Sequence, residues 1–212
     1  MKEYQKTFIE LAIESKALQF GSFTLKSGRL SPYFFNAANL LNSGKLDLLG
    51  ECYFEAFSEE DIDIHSIFGP AYKGIFLGSI LSLLLSKNNK AIPLSFNRKE
   101  IKDHGEGGVM VGAPLSGRVL VIDDVITAGT AVKEVIEMIS QAGAELAGVA
   151  IGLNRQERGA GDLSAIQEIE QAHGIPVLSI VDMTHIIDYL DAEGGPEGAL
   201  AAMREYRGKF GV

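Results

Sequence analysis

The stretch from Arg118 to Val135, RVLVIDDVITAGTAVKEV, constrains the fold more than any other part of the chain. Val119 to Ile122 form a continuous apolar run, the pattern of a strand buried on both faces of a parallel sheet. Asp123 and Asp124 stand where that strand would end, and the small, hydroxyl-bearing Thr127-Ala128-Gly129-Thr130 follows. Beyond it, Val132, Val135, Ile136 and Ile139 recur at helical spacing. Such a junction can seat a phosphate, because a first helical turn leaves backbone N–H groups unpaired and the helix dipole adds partial positive charge. Thr127 and Thr130 can add hydroxyl donors, and Gly129 lets the backbone approach closely. The two aspartates can accept hydrogen bonds from sugar hydroxyls or face a metal held by those hydroxyls. An acid pair after a strand is by itself more often a turn and a helix N-cap, so the pair alone identifies nothing.

The rest of the chain supplies the context. Tyr4, Phe8, Leu11, Ala12 and Leu18 predict an amphipathic N-terminal helix. Phe20 to Asn36, punctuated by Gly, Ser and Pro, predicts short strands and turns forming a small subdomain over the main sheet. A helix is expected over Leu46–Phe57. Then strand-like and helix-like segments alternate: 62–68, 71–86, 91–96, 118–122, 130–141, 146–153, 163–172, 177–181, 183–189 and a last helix to about Tyr206. This alternation predicts an α/β fold with a parallel sheet and right-handed crossovers. Ligands on such sheets bind beyond the carboxyl ends of the strands, where Asp123 falls. Residues 97–108 read as a long polar loop, and 109–114 as a strand returning outside the main sheet.

Composition excludes several classes. With 212 residues the chain suits one well-buried domain. A net charge of −9 argues against broad nucleic-acid binding, which needs a basic footprint. Cys52 is the only cysteine, so a disulfide framework and a cysteine zinc site are out, and a reduced cytoplasmic setting is expected. The N-terminal residues lack a signal peptide's apolar core. The longest uncharged apolar stretch, 74–86, is too short to span a bilayer and reads as a buried helix. No partnership with membrane or nucleic acid is expected.

Val119 to Ala131, VLVIDDVITAGTA, resembles the phosphoribosyl-diphosphate motif of the type I phosphoribosyltransferases. Four further stretches, TLKSGRLSPYFFN (24–36), FGPAYKGI (68–75), FNRKEIKDHGEGG (96–108) and LNRQERG (153–159), resemble the bacterial orotate phosphoribosyltransferases. The resemblance implies the type I phosphoribosyltransferase fold: a central parallel sheet flanked by helices, in one domain over 1–212, with a hood subdomain mainly from about 1–40. It implies transfer of the 5-phosphoribosyl group from phosphoribosyl diphosphate to N1 of orotate, giving orotidine 5′-monophosphate and diphosphate in de novo pyrimidine synthesis. Mg²⁺ is the implied cofactor, held by substrate oxygens and water near Asp123 and Asp124 rather than directly by protein. A homodimer is implied, with active sites shared through the mobile loop 97–108.

On their own chemistry these stretches stay open. Phe34-Phe35 suits core packing as well as a wall for a planar base, and Lys26 could be a solvated lysine. Gly69 to Lys73 could be an ordinary loop, although a second strand-to-helix junction on the same sheet edge suits an anion. Arg98, Lys99, Lys102 and His104 form a charge run, usually a solvated face, but a long glycine-ended loop can close over a ligand. Arg155 suits a carboxylate, which a guanidinium meets in a planar two-bond geometry, and orotate differs from uracil by one carboxylate. The resemblance assigns Lys26, Tyr72, Lys73, Arg98, Lys99, Lys102 and His104 to phosphoribosyl diphosphate, with Asp123, Asp124, Val125, Ile126, Thr127, Ala128, Gly129, Thr130 and Ala131. It assigns Lys26, Phe34, Phe35, Thr127 and Arg155 to orotate, and makes Lys102, Asp123 and Asp124 catalytic. Alternative readings are a phosphoribosyltransferase for another base and a non-catalytic sensor of phosphoribosyl diphosphate. Against the sensor stand the basic loop and the lack of room for a DNA-binding module. Nor does any G-x-G-x-x-G open a helix after a strand, as a dinucleotide-binding domain would require.

Overall fold

The computed structural model describes residues 1–25, 27–102, 108–126 and 130–212, with backbone alone for 101, 102, 108, 130 and 131. The described strands are β1 (Leu18–Thr24), β2 (Leu30–Phe35), β3 (Ser66–Gly69), β4 (Leu94–Lys102), β5 (Gly108–Gly112), β6 (Arg118–Asp123), β7 (Glu145–Asn154) and β8 (Val177–Asp182). The helices are α1 (Glu3–Glu14), α2 (Leu46–Ser58), α3 (Lys73–Lys87), α4 (Thr130–Gln141), α5 (Ala165–His173), α6 (Met183–Glu193) and α7 (Ala199–Phe210). A 3₁₀ turn covers Ala37–Ser43.

The six-stranded sheet has the order β5-β4-β3-β6-β7-β8, parallel throughout except for β5, which runs antiparallel to β4. The apolar run of β6 alternates across this sheet. Leu120 and Ile122 enter a core with α1, α2, α3, α6 and α7, while Val119 and Val121 enter a second core with α4 and α5. All four are at most 1% exposed, so the continuous apolar run reflects burial on both faces. Val132, Val135 and Ile139 of α4 face that second core. Local signals place the ends: Ser164 and Gln167 form a capping box for α5, which stops at left-handed Gly174 (φ 64°).

Three expectations are corrected. Residues 109–114 do not pair outside the main sheet; β5 is its edge strand, aligned with Ser95–Asn97 of β4. β4 also continues to Lys102, past the expected loop start, and pairs there with Gly108. Cross-strand pairing with β5, not apolar content, extends this ribbon, so hydropathy ends it too early. Finally, α3 is not wholly buried: Gly74, Leu77, Gly78, Leu81, Leu84 and Leu85 face inward while Leu83 is exposed.

β1 and β2 form a separate antiparallel pair, Leu18 opposite Phe35 and Thr24 opposite Leu30. Leu18 thus belongs to a strand rather than to the first helix. α7 packs on β2, with Tyr206 edge-on to Tyr33 (6.3 Å between rings, 87°). Among the described residues, no helix is long and apolar enough to cross a membrane.

Candidate active site

From β3 the chain runs outward to β4 and β5, then returns to β6 on the other side of β3. A crevice therefore opens between the carboxyl ends of β3 and β6, the switch point at which open α/β sheets bind ligands. Gly69 and Asp123 end those two strands.

The turn after β3 depends on missing side chains. A Cβ on Gly69 would meet the Gly74 carbonyl oxygen at 2.1 Å. One on Gly74 would meet the Ile122 carbonyl oxygen at 2.7 Å, so α3 begins directly against β6. Ala71 N–H donates to Asn97 Oδ1 of β4 (2.8 Å), tying the turn to the neighbouring strand. Tyr72 is 68% exposed, and Lys99 Nζ lies over its ring at 4.8 Å. Arg98 lies on β4 beside Lys99.

Across the crevice, Lys73 Nζ donates to Asp124 Oδ2. Asp124 is only 3% exposed, whereas the Lys73 side chain is 40% exposed. The backbone around Asp124 is pinned: its carbonyl accepts from Gly152 N (3.0 Å) and Leu153 N (3.2 Å) of β7. The Asp123 carbonyl accepts from Tyr53 Oη (3.2 Å), and Asp123 Oδ1 accepts from Asp124 N (2.8 Å). Burial, then the neighbouring Asp124 charge, raise the Asp123 carboxyl from 3.8 to about 7.

That shift predicts a pH dependence. Between about 4 and 7 the folded protein holds the Asp123 proton more tightly than the unfolded chain, so this group's stabilisation is complete at low pH and is lost as pH rises through 7. Urea midpoints measured against pH should show Asp123→Asn lacking this downward contribution. Parallel curves for parent and variant would mean that Asp123 ionises normally.

Val125 packs against the first core and Ile126 is buried in the second, so their side chains serve the fold and only their backbone is left for a ligand. Lys26, His104 and Thr127 to Gly129 lie outside the described residues, as do the side chains of Lys102, Thr130 and Ala131.

Arg155, just past β7, lies against Ser31 and Tyr33 of β2, the strand that carries Phe34 and Phe35. Arg155 lies over Tyr33, its Cζ 4.2 Å from the ring centroid. Its Nε donates to Glu157 Oε1 (2.8 Å), its Nη2 forms an ion pair with the same oxygen (2.6 Å) and donates to Ser31 Oγ (3.1 Å). The structure separates the side chains of Phe34 and Phe35, because neighbours on a strand point to opposite faces. Phe35 turns inward against Phe8, while Phe34 is 38% exposed and stacks on Phe23 (5.5 Å). Phe34 thus presents its ring outward, and Phe35 has only its backbone free.

Several site residues escaped the sequence reading. Tyr53 sits on α2 among core residues and carries no signal of its contact with Asp123. Asn97 reads as part of a polar run. Glu157 had a signal, two residues after Arg155, but only folding shows that the pair closes.

The phosphoribosyl transferase domain family matches residues 42–173 of the chain. The chain is 52% identical over 213 residues to the orotate phosphoribosyltransferase of Saccharophagus degradans, covering all of both chains. It is 54% identical over 214 residues to that of Pseudomonas aeruginosa, again covering all of both. Among solved structures it is similar to the orotate phosphoribosyltransferase of Francisella tularensis, with a TM-score of 0.85 and 40% identity over 97% of this chain and 99% of that one.

Proposed function

The chain belongs to the orotate phosphoribosyltransferase family, an enzyme of the pentosyltransferase class with the type I phosphoribosyltransferase fold, and from that premise we propose how its residues divide the work. The activity is transfer of the phosphoribosyl group from phosphoribosyl diphosphate to N1 of orotate, releasing diphosphate. The observation that carries the assignment of residues is the crevice between β3 and β6, with a cation on one wall and carboxylates on the other.

Diphosphate departure leaves positive charge on the ribose, so stabilisation is largely electrostatic and positional. Lys73, with Lys99 and Arg98 from β4, takes the leaving diphosphate, which must compete with Asp124 for the Lys73 ammonium. Asp123 and Asp124 receive the ribose hydroxyls and favour positive charge on the ring. The 125–131 segment holds the 5′-phosphate through backbone N–H groups at the α4 N-terminus. Phe34, the Phe34-Phe35 backbone and Arg155 bind orotate, together with Lys26 and Thr127, and Lys102 and His104 close over the diphosphate. Tyr72, exposed on the crevice rim, stacks under Lys99 and guides it.

Mg²⁺ fits this donor set. The Asp123 carboxylate at the tip of β6 is a hard oxygen donor, partly exposed, of the kind that magnesium-bound water or a ribose hydroxyl meets. When bound, the ion would neutralise diphosphate charge. The chain is a single domain with an N-terminal hood from β1 and β2, acts as a homodimer with sites shared through 97–108, and works in the cytoplasm.

The test is orotate consumption, followed by ultraviolet absorbance, with phosphoribosyl diphosphate present and Mg²⁺ supplied or chelated. Loss of orotate that stops on chelation is expected. Orotate consumption unaffected by chelation would overturn the magnesium assignment.

A further inference from the structure

The Arg155 guanidinium sits in an arrangement that attraction for an anion does not explain. Arg155 and Glu157 side chains are each only 12% exposed, and they already neutralise one another. A substrate carboxylate arriving at Arg155 would share its single positive charge with a second carboxylate. Glu157 therefore weakens the pull on an anion, so its value lies elsewhere.

The geometry shows where. Glu157 Oε1 accepts from Nε and pairs ionically with Nη2, Ser31 Oγ accepts from Nη2, and the Tyr33 ring centroid lies 4.2 Å from Cζ. Arg155 is thus held at Nε, at Nη2 and over the Tyr33 ring, with the Tyr206 hydroxyl beside the pair, and Nη1 takes no part in the contacts to Glu157, Ser31 or Tyr33. The backbone bearing Glu157 is held on both sides. Left-handed Gln156 (φ 48°) makes the bend that brings residues 155 and 157 together. Gln156 Oε1 accepts from Thr184 N (3.0 Å) and Oγ1 (2.8 Å). Arg158 N donates to Phe210 O (2.9 Å) and Val212 N to Gln156 O (3.0 Å), while Arg29 donates to the carbonyls of Arg158 (2.7 Å) and Gly159 (3.0 Å).

We infer that Glu157 is a positioning residue for base recognition, holding one edge of Arg155 so that Nη1 meets the carboxylate of the incoming pyrimidine. This rests on the reading that Arg155 contacts orotate. The long, flexible arginine then arrives already oriented, which avoids an ordering cost on binding.

Steady-state kinetics on the full chain with Mg²⁺ tests it. Glu157→Ala should raise KM for orotate by about tenfold or more, with kcat and KM for phosphoribosyl diphosphate within about twofold. Glu157→Gln, whose amide oxygen still accepts from Nε, should restore or better the parent KM. Should the alanine variant not fold, Glu157→Asp, with its acceptor withdrawn by one methylene, carries the same expectation. An unchanged orotate KM in Glu157→Ala and Glu157→Asp would overturn positioning while leaving Arg155 in its role, provided Arg155→Ala weakens orotate binding. If Arg155→Ala leaves orotate binding intact, the underlying reading and the inference fall together. Parallel losses for both substrates, unrescued by glutamine, would assign Glu157 to structure and overturn the inference.

Discussion

Replacing Arg155 with alanine is expected to weaken orotate binding by ~10–150-fold, the equivalent of losing about 1.5–3 kcal/mol of hydrogen bonding to a charged group. The structure adds a second consequence. Glu157 would remain buried without its cation, and breaking a buried ion pair from one side costs about 3–5 kcal/mol of stability. Calorimetric titration with orotate and urea unfolding measure the two effects separately. Adding Glu157→Gln to Arg155→Ala should recover much of the stability, because the stranded charge is gone, and none of the orotate affinity. Recovery of affinity in the double variant would mean that Arg155 acts only by neutralising Glu157.

Lys102→Ala is expected to lower kcat by about 10²–10³, the loss typical of removing one donor aimed at developing transition-state charge. Orotate affinity should hold, since the contact tightens only as the leaving group departs. An unaltered turnover number would remove Lys102 from the chemistry. Its backbone stands at the far end, the tip, of the β4–β5 ribbon, paired with Gly108. In the proposed dimer that tip serves the neighbouring copy. Mixing and refolding Lys102→Ala with Arg155→Ala subunits should then restore roughly a quarter of parental activity, because half of the dimers pair unlike subunits and each of those has one intact site. No restoration, with mixed dimers demonstrated, would place loop and base site in the same subunit.

The fold was legible wherever one element carries its own signal. The β6 run reports burial on both faces, and Ser164 and Gly174 bracket α5, because burial periodicity and capping act within a few residues. The candidate site was legible where a contiguous string does the work, as at Asp123-Asp124 and Gly69 to Lys73. The edge strand β5 was placed wrongly because a short, weakly patterned strand takes its place from its partner. The division of Phe34 from Phe35 was not legible for another reason: adjacency in sequence becomes opposition on a strand.

Sequence by itself therefore determined the parallel α/β sheet, the acid-tipped central strand, and the family to which the chain belongs. Tertiary structure alone decided which groups complete the site. Tyr53 reaches Asp123 across 70 residues of chain, Lys73 reaches Asp124 across 51, and Arg155 reaches Ser31 across 124. The physical reason is range: periodicity and caps act between neighbours along the chain, whereas these contacts exist only once sheet and helices have packed.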